Sequence, residues 1–173
     1  KDPAGHTCTN KLERWPELLI LRAFTKSFAI PGVRLGYMLG ADKKLMSGIA
    51  GQLPEWNISI LAENAGMAAL ENTKVIEEGM KIIACGRKYL AAELEDMGFD
   101  VVPSDTGYLL FGCSDGPDLY EELLKKEILI RDCSDFNGLP GKKNDGQEEE
   151  PRFYRIAVRP MDENIELIKN IRE

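Results

Sequence analysis

The sequence is short of most residues that build a metal centre or a nucleic-acid surface. It has one histidine, His6, and four cysteines, Cys8, Cys85, Cys113 and Cys133, none in a CxxC pair. The ligand spacing of a zinc site is therefore missing. Without a paired framework, the thiols read as reduced and mostly buried, as in a cytoplasmic protein. Positive charge is also scarce: 22 Lys and Arg face 29 Asp and Glu, for a formal charge of −7. That balance excludes nucleic acid as a default partner, so local positive potential must come from single side chains. No apolar run has the length of a bilayer span, which argues against a membrane role. There is no initiating methionine and no stretch resembling a signal peptide, so a fragment or trimmed chain is expected. No internal repeat is visible.

What remains is an ordinary globular composition, 43% hydrophobic and 29% charged over 173 residues, enough for one or two small domains. Residues 1–14 are polar and read as a surface connection. The run Glu17 to Phe24 is long enough for a buried strand, and Val33 to Leu39 reads as a second. Asp42 caps an expected helix from Lys43 to about Gln52, Pro54 interrupts, and residues 58–71 are helical in composition. The clearest helix carries Ile76, Met80, Ile83, Leu90, Leu94 and Met97 at steps of three and four, missing only at Arg87, and stops at Gly98. Phe99 to Val102, Tyr108 to Phe111, Ile128 to Arg131 and Phe153 to Val158 read as strands, with a helix from Asp118 to Lys126 among them. Residues 137–152, with three glycines and the acidic run Glu148 to Glu150, read as a mobile surface loop. Asp162 is expected to cap a last helix with Ile165, Ile168 and Ile171 on one face. Strands alternate with helices, which predicts an α/β class.

The informative stretch is Ala23-Phe-Thr-Lys-Ser-Phe-Ala-Ile-Pro-Gly-Val-Arg-Leu-Gly36. Lys26 lies just past the carboxyl end of an expected buried strand, where open α/β folds place ligands. Arg34 follows eight residues later, and Pro31-Gly32 forces a turn between them. A lysine that loses its proton attacks a carbonyl to form a Schiff base. An arginine stays charged and forks onto phosphate. A ligand with an aldehyde and a phosphate would use both.

This string resembles the cofactor-attachment motif of the pyridoxal-phosphate (PLP) dependent class I/II aminotransferases of fold type I: small residue, aromatic, Ser/Thr, Lys, a turn, then Arg-aliphatic-Gly. The resemblance covers nearly the whole chain. It implies Lys26 as the Schiff-base lysine, Arg34 on the cofactor phosphate, and Thr25 as a cofactor contact. Where the family usually has a hydroxyl touching the phosphate, this chain has Ala23, which shifts that contact to Thr25 or Ser27 or removes it. In Phe153-Tyr-Arg-Ile-Ala-Val-Arg-Pro160, Arg155 matches the arginine that forks onto the substrate α-carboxylate, the alternative being a structural ion pair. Arg159, four residues on, would share its face in a strand and could take a second anionic group; a structural ion pair is the better reading for it.

The resemblance further implies the C-terminal part of the PLP-binding large domain at 1–73, a connecting helix at 74–98, and a small C-terminal α/β domain at 99–173. Within the family the wording is most similar to the threonine-phosphate decarboxylases, with the histidinol-phosphate aminotransferases close behind. The expected substrate is thus a small amino acid or amino-acid phosphate, and the intact protein is expected to be a homodimer. The family's aspartate for the pyridine nitrogen has no match in this chain; Asp2 stands in the wrong local pattern. The fragment alone is therefore expected to be inactive. Two other classes stay open, a regulatory module that kept the fold and an interaction domain without a ligand.

Overall fold

The computed structural model describes residues 7–114, 116–139 and 151–173. Asp2, His6 and residues 140–150 of the expected acidic loop lie outside them. The chain is α/β and divides into two compact units, Lys1–Glu78 and Gly79–Glu173. The division falls inside the long helix.

In the first unit a 3-10 turn at Thr9–Lys11 precedes strand β1, Leu19–Ala23, which runs into a one-turn helix α1, Phe24–Ser27. A second 3-10 turn, Pro31–Val33, leads to strand β2, Gly36–Gly40. β1 and β2 pair antiparallel, with Ala23 opposite Gly36 and Leu19 opposite Gly40. Glycine at 36 is required by a close approach, since a Cβ there would stand 2.8 Å from the Arg22 carbonyl oxygen. The expected strand from Val33 begins late because its first residues are spent on the turn.

Helix α2, Lys43–Ala50, starts as its sequence predicts: the Asp42 carboxylate accepts from the backbone N–H groups of Lys44 and Leu45 at 2.7 and 3.1 Å. Helix α3, Ile60–Glu71, is capped by the Ser59 hydroxyl, which accepts from Ala62 N–H at 3.1 Å. Its inward side is made of small residues. Ala62 and Gly66 are buried, and Gly66 passes so near Leu35 that a side chain there would collide with it. That approach seats α3 against the loop between β1 and β2. Large residues of α3, Ile60, Leu61, Met67 and Leu70, are exposed instead.

The long helix α4, Lys74–Asp96, feeds strand β3, Asp100–Val102. Strand β4, Tyr108–Cys113, helix α5, Leu119–Lys125, strand β5, Arg131–Asp132, strand β6, Arg152–Ala157, and helix α6, Met161–Arg172, follow. The four strands form an antiparallel sheet in the order β3-β4-β6-β5. One face carries Leu109 and Phe111 from β4 opposite Ile156 and Tyr154 from β6, and these join Leu90, Leu94, Leu123, Ile130 and Ile168 in a closed core. The Tyr154 hydroxyl is satisfied there: it accepts from Leu119 N–H at 3.1 Å and donates to Asp118 at 3.2 Å. Burial pushes its phenol pKa up.

Three expectations are corrected. In α4 the apolar stripe does not lapse at Arg87; Gly86 is the buried residue at that step, and Met80 is exposed. In α6 the cap is Pro160, not Asp162, and the inward face is Asn164, Leu167, Ile168 and Ile171, leaving Ile165 exposed. Asn164 is fully buried, accepts from Arg159 N–H at 3.0 Å and donates to Arg159 C=O at 2.6 Å, so a polar side chain closes the turn. Of the cysteines only Cys133 is buried; Cys8 and Cys85 are exposed and Cys113 is half-buried. Among the described residues no helix is long and apolar enough to cross a membrane, and no group of residues could hold a metal.

Candidate functional site

The loop from Thr25 to Arg34 is closed at its base by a hydrogen bond from Phe24 N–H to Leu35 C=O, 3.1 Å. Phe24 is buried, stacked on Phe28 at 5.0 Å and edge-on to Tyr37 at 5.9 Å. This aromatic plug anchors the loop, while Lys26 and Arg34 remain exposed. The closing bond joins the residue two before Lys26 to the residue just after Arg34, so both cations root at the mouth of one loop. Neither makes an ion pair with another described residue; Arg34 only donates from Nη1 to the Pro31 carbonyl at 3.1 Å. Two non-glycine residues of this loop hold left-handed backbone, Ala29 at φ 55° and Arg34 at φ 57°. Each such residue costs about 1–2 kcal/mol, and strain of this kind gathers where a loop is shaped for a ligand.

Thr25 is half-buried in α1, immediately before Lys26. Ala23 sits at the N-cap of α1 in extended backbone and makes no side-chain bond. A hydroxyl at 23 would have capped this turn, so its loss leaves the donors at the head of α1 without a side-chain acceptor. The donor set as it stands comprises one amine, one guanidinium, a half-buried hydroxyl and backbone N–H groups. Its chemistry fits a small molecule with a carbonyl and a phosphate.

The second unit holds Arg155 and Arg159. Arg155 lies in β6 on the face of the sheet opposite the core and is exposed. Its guanidinium carbon stands 5.3 Å from the centre of the Tyr108 ring, and among the described residues it makes no ion pair. Arg159 does not share that face by strand alternation, because β6 ends at Ala157. Instead it folds onto Glu163 through two bonds, Nε to Oε2 at 2.8 Å and Nη2 to Oε1 at 3.3 Å.

The partner that sequence reading missed is Arg131. It is paired directly opposite Arg155 across β5 and β6, so both side chains rise from the same face. Arg131 also sits over an aromatic, Phe136 at 5.6 Å, and bonds Asp135 from Nη2 at 2.7 Å. β5 is two residues long, too short for periodicity, and its pairing spans more than twenty residues of chain. The only sequence signal was an arginine ending an apolar run at Ile128-Leu-Ile-Arg131. Burial pushes the Cys133 thiol pKa up, and the charges of Arg155 and Arg131 oppose the shift.

Comparison with known proteins places these features in context. The family model for aminotransferase class I and II matches residues 4–171. The histidinol-phosphate aminotransferase of Nitratidesulfovibrio vulgaris is 35% identical over 173 residues, covering 99% of this chain and 43% of that protein. The threonine-phosphate decarboxylase of Salmonella typhimurium is 31% identical over 159 residues, covering 91% and 41%. The crystal structure of the histidinol-phosphate aminotransferase from Clostridium acetobutylicum superposes with a TM-score of 0.84 at 31% identity, over 98% of this chain and 49% of that one. The chain thus spans less than half the length of these relatives.

Proposed function

The chain belongs to the class I and II aminotransferase family, and on that premise we propose that it supplies the lysine and the substrate-recognising arginines of a PLP-dependent enzyme acting on a small amino acid or amino-acid phosphate. The observation that carries this reading is the pair of cations, Lys26 and Arg34, rooted at the mouth of one closed loop without a counter-ion among the described residues. When bound, PLP supplies an electron sink for bonds at the substrate α-carbon.

The residues of the chain take distinct parts. Lys26 Nζ would hold the carbonyl end of the cofactor, and its free amine would move the proton at the substrate α-carbon. Arg34 forks onto the phosphate with the side chain of a residue whose left-handed backbone fixes its direction of departure. Thr25 donates its hydroxyl to the same group. In the second unit Arg155 binds the substrate carboxylate or phosphate, with the Tyr108 ring limiting the swing of its guanidinium. Arg131 adds a second fork beside it. Arg159 keeps a supporting part through Glu163.

Relatives of both outcomes, amino transfer and decarboxylation, support the reading at similar identity. The wording of the motifs favours the decarboxylase for threonine phosphate, with amino transfer to or from histidinol phosphate as the alternative. The test is made on intact protein. With added PLP it should acquire a visible absorbance band, and borohydride should fix the cofactor to Lys26 in a peptide map. Lys26→Ala should lose both. Threonine phosphate should then release carbon dioxide, or histidinol phosphate should pass its amine to a keto acid. An intact protein that neither gains the band nor labels Lys26 sinks the proposal.

A further inference from the structure

Arg131 and Arg155 stand directly opposite each other on neighbouring strands. Like charges in that position are destabilising unless something lies between or beside them. Among the described residues Arg155 has the Tyr108 ring beside it and no carboxylate in an ion pair. Arg131 has the Phe136 ring and the Asp135 carboxylate, whose Oδ2 is 2.7 Å from Nη2. Among the described residues one carboxylate ion-pairs with a member of this pair, and it does so through Arg131.

Asp135 lies in the turn that follows β5. Asp132, next in the strand, faces the other way opposite Tyr154 and spends its carboxylate on Ser134, accepting from Ser134 N–H at 2.9 Å and from its hydroxyl. Cys133 is buried and donates its N–H to Phe153 C=O at 2.9 Å. Phe136 N–H donates to Cys133 C=O at 2.9 Å. Asp132 thus spends one oxygen, Oδ1, on its own turn, and of these two acids Asp135 is the one that bonds the arginine. Its bond to Arg131 uses one terminal nitrogen, and both side chains are half or more exposed. An incoming anion can reach the pair and compete.

We propose that Asp135 is an internal counter-anion of the Arg131–Arg155 pair, displaced from Arg131 when the anionic group of the substrate binds, so that it lowers the affinity of that site and speeds release. The inference rests on the reading of Arg155 as the substrate's anion receptor. It deepens that reading by naming the residue that sets how tightly the anion is held. A carboxylate that merely oriented Arg131 would act in the opposite direction, because its loss would weaken binding.

The test uses the full chain and inorganic phosphate without PLP, read by the arginine Nε–Hε resonances in nuclear magnetic resonance. Phosphate should shift the Arg131 and Arg155 signals together. Asp135→Asn should tighten phosphate binding about threefold to fivefold, the range of an exposed ion pair. In the Arg131→Ala background the same substitution should gain less than about 1.5-fold, since the competition acts through Arg131. Weaker binding in Asp135→Asn, an equal gain without Arg131, or no response of either signal would overturn the proposal. If Arg155→Ala leaves phosphate binding unchanged, the reading of Arg155 fails as well. If it abolishes binding while Asp135→Asn changes nothing, only the role of Asp135 fails.

Discussion

Asn164 shows how much one buried amide can decide. Its two ends bond the N–H and C=O of Arg159, so it closes the turn between β6 and α6 where Pro160, lacking an N–H, cannot. Asn164→Ala would leave two backbone groups without their partner in a packed site. The expected loss is about 2 kcal/mol of unfolding free energy for the second unit, measured by urea denaturation followed through the tyrosine near-ultraviolet signal. A sequence scan for apolar periodicity passes over this position, because a polar residue on an inward face looks like an exposed one. Arg131 was hidden for a different reason: its importance comes from the residue opposite it, and pairing between strands is not written in either strand alone. Lys26, Arg34 and Arg155 could be proposed from sequence because each sits in a run of specific neighbours. Their joint use still rests on the tests above.

At the scale of elements, most helices and strands were readable from caps and periods, and the departures have local causes. β2 starts at Gly36 because Pro31 to Arg34 are taken by the 3-10 turn and its left-handed end. The stripe on α4 continues through Gly86, which carries no side chain to score as apolar. That glycine admits the junction ahead of α6: a Cβ there would stand 2.7 Å from Asn164 Nδ2 and 2.9 Å from Val158 Cγ1. Gly79, on the same helix, would meet nothing within 4 Å. The two should therefore respond with opposite sign. Gly79→Ala should stabilise by about 0.5–1 kcal/mol through helix propensity. Gly86→Ala should destabilise by about 1–2 kcal/mol, because overpacking outweighs that gain. Denaturation midpoints of the two variants check the pair, and an equal gain in both would contradict the packing described.

The two units differ in how much they enclose. The second has a sheet with a closed core of nine residues, from Leu90 to Ile168. In the first, the described buried hydrophobics are Phe24 and Ala62. Trp56 is 94% exposed on left-handed backbone, φ 60°, and Leu53, Ile58, Ile60, Leu61, Met67 and Leu70 are exposed around it in sequence. Helix α3 presents apolar residues on most of its sides, interrupted by Glu63, Asn64 and Glu71, yet only Ala62 and Gly66 of it are buried. The fold class was visible in the sequence, but this inequality was not, since hydrophobic content is similar along the chain and only geometry says which residues find partners. Cooperative unfolding requires an interior whose loss is felt everywhere at once. On heating, the 173-residue chain should therefore give a sharp calorimetric transition from residues 79–173 and a broad, shallow loss from residues 7–78, with Trp fluorescence drifting before the tyrosine signal breaks. A single coincident transition in both probes would contradict this inequality, because a unit with so little enclosed apolar surface has few contacts to lose all at once.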